Sequence, residues 1–175
     1  MLIIFSGLPG SGKTSIAREL AKELRATYLR IDTIEQTIRR YDNADINVGP
    51  MGYFVASDIA CDNLAFGLTV IIDSVNPMKL TRDWYRDVAL TAGVPYLEIE
   101  VVCSDVQEHR ARVETRIGDI EGLPLPDWAA VINHDYEPWD REHLVLDSAK
   151  LTVSESVAAV LASVGSEVQP YENVR

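Results

Sequence analysis

The chain has 175 residues, of which 47% are hydrophobic and 25% charged, a balance that is ordinary for one globular domain with a sizeable core. Its formal net charge of −11 repels a long polyphosphate, so nucleic acid is disfavoured as a ligand. No apolar run approaches the roughly 18 residues that span a bilayer, and no signal peptide is recognisable, so we expect a cytoplasmic protein.

Short apolar runs alternate with amphipathic segments along the chain, and this alternation predicts an α/β fold with a parallel sheet. The predicted strands are residues 2–5, 27–31, 69–72, 96–103 and 143–146. The predicted helices are residues 13–25, 33–40, 52–66, 79–91 and 105–117, followed by a last helix after the capping box Thr152-Val153-Ser154-Glu155. We therefore expect one domain over residues 1–165 and a flexible tail over residues 166–175.

Residues 7–14 read Gly-Leu-Pro-Gly-Ser-Gly-Lys-Thr and satisfy the pattern G-x-x-x-x-G-K-[ST] in full. Such a loop cradles the α- and β-phosphates with backbone N–H groups, while Lys13 reaches the β- and γ-phosphates and the Thr14 hydroxyl binds Mg²⁺. The flanks fit this pattern, because an apolar strand precedes the loop and apolar residues at helical spacing follow it. The residues predicted to bind the nucleotide are Gly7, Leu8, Pro9, Gly10, Ser11, Gly12, Lys13, Thr14 and Ser15.

Two carboxylates follow predicted strands, at the edge of a parallel sheet where ligands bind. Asp32 is predicted to accept the proton of an attacking hydroxyl or to help order Mg²⁺, and the alternative is an N-cap of the next helix. Asp73 ends the run Val70-Ile71-Ile72, as a Walker B carboxylate does, and is predicted to hold Mg²⁺ together with Thr14. Its alternative role is that of a turn residue.

A predicted lid covers about residues 117–141, because three prolines and two glycines separate two regular elements there. Arg112 and Arg116 lie four residues apart on the helix that leads into this lid and therefore share one face. Arginine beside a closing lid can neutralise the charge that develops on a transferring phosphoryl group. Both are predicted catalytic residues, with Arg116 preferred because it is nearer the lid, and the alternative is a solvated helix face.

Aromatic residues accompany both regions that are expected to contact the acceptor. Trp128, Tyr136 and Trp139 lie in the predicted lid, where they either stack on a ligand or, as we favour, anchor the loop by packing. Tyr53 and Phe54 lie in residues 33–66, the predicted acceptor-binding region, and the same two alternatives apply to them.

The chain resembles the P-loop small-molecule kinases, and most of all the chloramphenicol phosphotransferase-like and related kinases, from Ile3 to about Val164. The resemblance rests on residues 7–14, 31–35 and 70–75, with further matches at residues 81–84, 102–116 and 145–148.

The resemblance implies a three-layer P-loop NTPase fold with a five-stranded parallel sheet, helices on both faces and a mobile lid, as in shikimate, gluconate and adenylylsulfate kinases. It also implies that Lys13 and Thr14 bind ATP–Mg²⁺, that Asp32 acts as base toward the acceptor hydroxyl, and that lid arginines close over the phosphates.

These features predict an ATP-dependent phosphotransferase that acts on a hydroxyl of an unidentified small molecule. A GTPase is disfavoured because N-K-x-D is absent, and because Asp119-Ile120-Glu121-Gly122, which mimics D-x-x-G, lies in the lid far from the Walker B strand. The remaining alternatives are an ATPase module without an acceptor, a polynucleotide kinase and a toxin-type nucleotide-sugar kinase. The sequence indicates neither the acceptor nor the oligomeric state.

Overall fold

A computed structural model describes residues 1–41 and 47–167 of the chain, and their strands form a five-stranded sheet. The strands are β1 (Leu2–Ser6), β2 (Thr27–Arg30), β3 (Val70–Asp73), β4 (Tyr96–Val102) and β5 (Leu144–Asp147). Their order across the sheet is β2-β3-β1-β4-β5, and every neighbouring pair is parallel. The predicted parallel sheet is confirmed, and each predicted strand boundary lies within one residue of the observed one.

Six of the helices described with this sheet agree with the predicted ones apart from their ends, and one further short helix lies inside the predicted lid. The helices are α1 (Lys13–Leu24), α2 (Ile31–Tyr41), α3 (Met51–Ala65), α4 (Lys79–Ala92), α5 (Val106–Thr115), α6 (Trp128–Ile132) and α7 (Val153–Glu167). Within the described part of the chain, no helix is both long enough and apolar enough to cross a bilayer.

The predicted tail begins too early in the sequence, because α7 continues to Glu167. Val157 and Val160 are buried in the core, and Leu161 and Val164 pack against it, so the apolar stripe holds the helix well past its middle. Residues 166 and 167 therefore belong to α7, which corrects the tail boundary. The rest of the predicted tail, residues 168–175, lies outside the described residues.

Both faces of the sheet are covered, which is why β1 is apolar along its length. Ile3 and Phe5 point into a cluster with residues of α1 and α7, while Leu2 and Ile4 point into a second cluster with α2, α3 and α4. The arrangement confirms three layers, with the sheet between two groups of helices. The carboxyl end of β1 is therefore at the centre of the molecule, where the phosphate loop begins.

The second half of the lid is attached to the protein by the buried side chain of Arg82 on α4. Its guanidinium donates hydrogen bonds to the carbonyl oxygens of Asn76 (3.1 Å), Pro77 (3.0 Å), Glu137 (2.8 Å) and Pro138 (3.3 Å). The same guanidinium carbon lies 4.9 Å and 4.3 Å from the ring centroids of the two lid aromatics Tyr136 and Trp139.

The favoured packing role of the lid aromatics is thereby confirmed for Tyr136 and Trp139. The third aromatic, Trp128, makes an edge contact with the His109 ring at a centroid distance of 5.2 Å. Aromatic packing and the Arg82 hydrogen bonds together hold residues 136–139 against α4.

We predict that Arg82→Leu lowers the free energy of unfolding by about 2–4 kcal/mol, because four carbonyl oxygens lose a donor inside the protein. Urea denaturation of both proteins measures the change. Arg110→Leu is the matched control, since Arg110 is exposed and pairs with Glu114 on its own helix, and we expect a change within about 0.5 kcal/mol. Equal effects of the two substitutions would contradict the anchoring role of Arg82.

Candidate active site

The phosphate loop connects β1 to α1 and has a backbone that requires glycine. Gly7, Gly10 and Gly12 have φ angles of 139°, 82° and 97°, in the region that residues with a side chain rarely adopt. A Cβ atom at Gly7 would lie 2.3 Å from the carbonyl oxygen of Val101, and one at Gly10 would lie 2.5 Å from Val113 Cγ2. The loop is thus in close contact with both β4 and α5.

Hydrogen bonds from neighbouring elements hold this loop in place. The buried His109 on α5 forms a hydrogen bond between Nε2 and the carbonyl oxygen of Pro9 at 2.9 Å. The backbone N–H of Gly7 donates to the carbonyl oxygen of Val75 at 3.1 Å. The loop therefore has its shape before any phosphate binds, which reduces the entropy lost on binding.

A cleft of about 940 Å³ opens beside the loop. Its walls come from the loop and α1, from the end of β2, from α5, from the first half of the lid, and from residues 148–153 after β5. The predicted site residues that line it are Pro9, Gly10, Gly12, Lys13, Thr14, Ser15, Asp32, Arg112 and Arg116. The predicted residues that do not line it are Gly7, Leu8, Ser11 and Asp73. Most of the predicted site thus converges on one cavity.

Asp32 faces this cleft from the second position of α2. Helix α2 begins at Ile31, so the alternative in which Asp32 caps the helix from outside is wrong. The predicted start of α2, at residue 33, was too late. The sequence analysis assigned the apolar Ile31 to the preceding strand, whereas in the structure Ile31 is the first residue of α2 and packs against α3 and α4. Asp32 therefore lies in the first turn of α2, at the positive end of the helix dipole.

Asp73 lies at the end of β3 and is 1% exposed. Its Oδ2 accepts a hydrogen bond of 2.6 Å from the Tyr28 hydroxyl, while its Oδ1 is buried and has no hydrogen-bond partner. Burial, and then the Asp73 charge, raise the pKa of Tyr28, so this hydroxyl remains a donor at neutral pH. One carboxylate oxygen of Asp73 is therefore left to interact with a cation or a water molecule.

The two predicted catalytic arginines have different surroundings. Arg112 donates from Nη1 to Ser148 Oγ (2.8 Å) and from Nη2 to the Ser148 carbonyl oxygen (3.0 Å), and it also pairs with Glu108. Arg116 follows α5, and its Nε and Nη2 atoms are buried without a hydrogen-bond partner. Arg112 therefore holds Ser148 in place after β5, whereas Arg116 has donors left for a ligand.

The charge of Arg116 depends on burial and on two neighbours. Burial lowers the pKa of Arg116, the nearby Asp32 raises it, and the nearby Arg30 lowers it. Arg116 is thus close enough to Asp32 and Arg30 to be influenced by both. Asp32, the candidate base, and Arg116, the candidate charge-neutralising guanidinium, therefore lie on the same side of the cleft.

The two aromatics of the predicted acceptor region differ in position. The Tyr53 ring stacks on Tyr85 at 5.8 Å, and burial raises the pKa of Tyr53 to about 12. Phe54 packs against Trp84 at 5.0 Å and is 49% exposed. Neither ring lines the cleft, and residues 42–46 of this region lie outside the described residues, so residues 33–66 remain a predicted acceptor site.

The charged residues of the cleft that the sequence analysis did not predict include Arg18, Arg30 and Asp119. Arg30 ends β2 directly before the helix that carries Asp32, and its position at a strand end was the signal available in the sequence. Asp119 was set aside as being far from β3 along the chain. In space, Arg30 lies between Asp119 and the end of β3. Its Nη1 donates hydrogen bonds to the Asp119 carboxylate, and its Nε lies 3.9 Å from Asp73 Oδ2.

We predict that His109→Ala raises the dissociation constant of Mg²⁺–ATP by about 2- to 10-fold, because the loop loses one buried hydrogen bond that holds its shape. Isothermal titration calorimetry measures the constant. The control is His134→Ala, since His134 is exposed near the end of the lid helix. An unchanged constant in the His109 variant would show that the loop needs no support from α5.

Comparisons with known proteins identify relatives by sequence and solved structures of the same fold. A probable adenylyl-sulfate kinase of Aeropyrum pernix is 26% identical to this chain over an alignment 187 positions long. The alignment covers 97% of this chain and 94% of the relative. The APS kinase CysC of Mycobacterium tuberculosis, solved in complex with AMPPNP and APS, is 20% identical with a TM-score of 0.65, and the match covers 94% of this chain and 96% of that one. A gluconokinase of Sinorhizobium meliloti is 16% identical with a TM-score of 0.62, covering 95% and 97%.

The two solved structures show that the fold is the one used by P-loop kinases of small molecules. A family model described as an AAA domain matches residues 2–125, a span that includes the phosphate loop, Asp32, Asp73, Arg112 and Arg116. Because this match covers well over half of the chain, the protein belongs to that AAA-domain family, AAA_33.

Proposed function

We propose that the protein is an ATP-dependent phosphotransferase that moves the γ-phosphate of ATP to a hydroxyl of a small molecule. The observation that carries the proposal is that Asp32 and the phosphate loop face one cleft, with the unpartnered Arg116 beside them. A nucleotide switch or a simple binding module has no need for a carboxylate at the place where a second substrate would meet the γ-phosphate.

The relatives support the same reaction class. Adenylyl-sulfate kinase and gluconokinase are names for enzymes that phosphorylate small molecules, and this chain shares their fold over nearly its whole length. The resemblance to chloramphenicol phosphotransferase-like kinases supports the same class. It does not transfer the antibiotic as acceptor, because residues 41–53 match no known substrate signature.

Each residue has a distinct role in the proposed transfer. Lys13 and the loop N–H groups bind the β- and γ-phosphates, and Arg116 donates to the oxygens on which negative charge develops. Asp32 accepts the hydroxyl proton as the acceptor oxygen bonds to the γ-phosphorus and the bond to the bridging oxygen of ADP breaks. The lid keeps water away from the γ-phosphate, which favours transfer over hydrolysis.

Mg²⁺ fits this site on the chemistry of its oxygen donors. The ion takes one or two protein oxygens together with substrate phosphates, and the buried, unpartnered Oδ1 of Asp73 is a donor of that kind. We infer that Thr14 and Asp73 hold the ion, directly or through water. The bound ion supplies charge neutralisation on the β- and γ-phosphates.

We predict that Asp32→Asn retains the affinity for Mg²⁺–ATP but lowers the rate of phosphoryl transfer at least about a hundredfold, because the base is lost and the loop is not. The control is Asp58→Asn, which removes the same charge from the exposed side of α3 and leaves both quantities unchanged. Calorimetry gives the affinity, and a coupled assay of ADP release in the presence of acceptor gives the rate. Full activity of the Asp32 variant would remove it from the mechanism.

We predict that Lys13→Ala weakens nucleotide binding and turnover together, because Lys13 contacts the phosphates in both the bound and the reacting state. The same two assays measure this variant, and its pattern differs from that of Asp32→Asn, in which only the rate falls. Wild-type binding of Mg²⁺–ATP by the Lys13 variant would count against the loop as the nucleotide site.

A second candidate function is an ATPase without an acceptor, which the description of the family as an AAA domain favours. A screen of hydroxyl-containing metabolites with ATP and Mg²⁺ separates the two functions. For a kinase, we expect slow ADP release that rises sharply with one compound, and a phosphorylated product in the mass spectrum. Fast hydrolysis with no phosphorylated compound would support the ATPase. The cytoplasmic location remains a prediction.

A further inference from the structure

A carboxylate of the lid binds two arginines inside the cleft. Asp119 accepts a hydrogen bond from Arg18 Nη2 on α1 at 2.5 Å, and two more from Arg30 Nη1 at the end of β2 at 3.0 and 2.8 Å. The Arg30 side chain is only 11% exposed, whereas that of Asp119 is 44% exposed. The lid thus places an anion on the open side of a largely buried guanidinium.

Arg30 is only partly engaged by its other neighbours. Its Nη2 lies 3.6 Å from Asp32 Oδ2 and its Nε lies 3.9 Å from Asp73 Oδ2, and this Nε has no hydrogen-bond partner. The Nε and Nη2 atoms of Arg116 also lack a hydrogen-bond partner, and the pKa of Arg116 is influenced, after burial, by both Asp32 and Arg30. Two guanidinium groups with three unpartnered nitrogens therefore lie beside Asp32.

Buried N–H donors without partners destabilise a protein unless a ligand satisfies them. Guanidinium groups bind planar or tetrahedral oxyanions with paired hydrogen bonds, which makes carboxylate, sulfate and phosphate the groups that fit them. The carboxylate that already binds Arg30 in the structure is of this type. It belongs to the predicted lid.

The position of Arg30 indicates the acceptor, whereas Arg116 lines the same cleft as the phosphate loop and is proposed above to contact the transferring phosphoryl group. Arg30 ends β2, and β3 lies between β2 and the strand that carries the phosphate loop, which separates them by about 10 Å. Asp32, the proposed base, is two residues further along the chain. An oxyanion bound to Arg30 would thus belong to the acceptor, the molecule whose hydroxyl proton Asp32 accepts.

We propose that Arg30 forms an anion site for the acceptor, with Arg116 shared between this anion and the transferring phosphoryl group, and that Asp119 occupies the site as an internal competitor when the acceptor is absent. The acceptor is then a hydroxyl compound that also carries a carboxylate, sulfate or phosphate group. This inference rests on the proposed kinase function, because it assumes that Asp32 faces the acceptor.

The lid can give up the Asp119 contact without losing its place. The Glu121 carbonyl oxygen accepts hydrogen bonds from Gln36 Nε2 (3.3 Å) and Arg40 Nη2 (3.0 Å) on α2. These contacts do not involve the Asp119 side chain. A variant that removes only the Asp119 charge is therefore expected to keep its fold and its lid.

The test uses the full chain saturated with Mg²⁺–ADP, so that the phosphate loop is already filled, and inorganic sulfate as the probe. Sodium sulfate is titrated at constant ionic strength and followed by calorimetry. We expect Asp119→Asn to bind sulfate roughly three- to tenfold more tightly than the wild type, because the internal competitor is removed.

The matched control is Glu121→Gln, which removes one charge two residues away, from a side chain that is 91% exposed and lies 3.5 Å from Arg40. We expect its sulfate affinity to stay within twofold of the wild type. Arg30→Gln and Arg116→Gln should each weaken sulfate binding at least about tenfold while Mg²⁺–ADP still binds. Arg116→Gln is the second variant in case Arg30→Gln fails to fold, since Arg116 has no hydrogen bond from its Nε or Nη2 to lose.

Two results would overturn the inference. Equal tightening by Asp119→Asn and Glu121→Gln would mean that only net charge matters, and wild-type sulfate binding by Arg116→Gln would mean that the anion binds elsewhere. A wild-type protein that fails to bind Mg²⁺–ADP would instead refute the proposed function. The two failures are therefore distinguishable in one set of titrations.

Discussion

The close contact of the phosphate loop with strand β4 and helix α5 is the constraint on which the rest of the site depends. Gly7 approaches the backbone of β4 so closely that no side chain fits, and Gly10 does the same against Val113. Helix α5 therefore cannot move without moving the loop. Because α5 also carries Arg112 and leads to Arg116, the position of both arginines follows from the position of the loop.

The fold was predictable because its signals are local. Period-2 and period-3.6 patterns, one phosphate-loop motif and two capping motifs describe nearly all of the elements. At the observed N-caps, the side chains of Asp105 and Thr152 accept hydrogen bonds from backbone N–H groups only two or three residues later. The sequence analysis placed the start of α2 too late and the end of α7 too early. In both cases, apolar residues that pack on the core extended the helix beyond the local signal.

The site was only partly predictable, and the reason is distance along the chain. Asp32, Lys13 and Arg116 could be proposed from motif and position, and the structure brings them to one cleft. The contact between Arg30 and Asp119 joins residues 89 positions apart, and nothing in either local segment indicates the other. Likewise, Arg112 and Arg116 look equivalent on a helix, and only the partner Ser148 on a distant strand end distinguishes them.

The lid has two attachments of unequal strength. Residues 136–139 are held by buried hydrogen bonds and ring contacts of Arg82, and Arg141 adds paired hydrogen bonds of 2.7 Å to the buried Glu98. Residues 119–121 are held largely by ion pairs whose carboxylates, Asp119 and Glu121, are exposed to screening by salt, although Arg30 itself is largely buried. The attachment at residues 119–121 is therefore the easier of the two to release, and its release would leave the contacts of Arg82 and Arg141 in place. Release at that end would free Gln36 and Arg40 of their contacts with Glu121, so the flank of α2 that precedes the cleft would become accessible first.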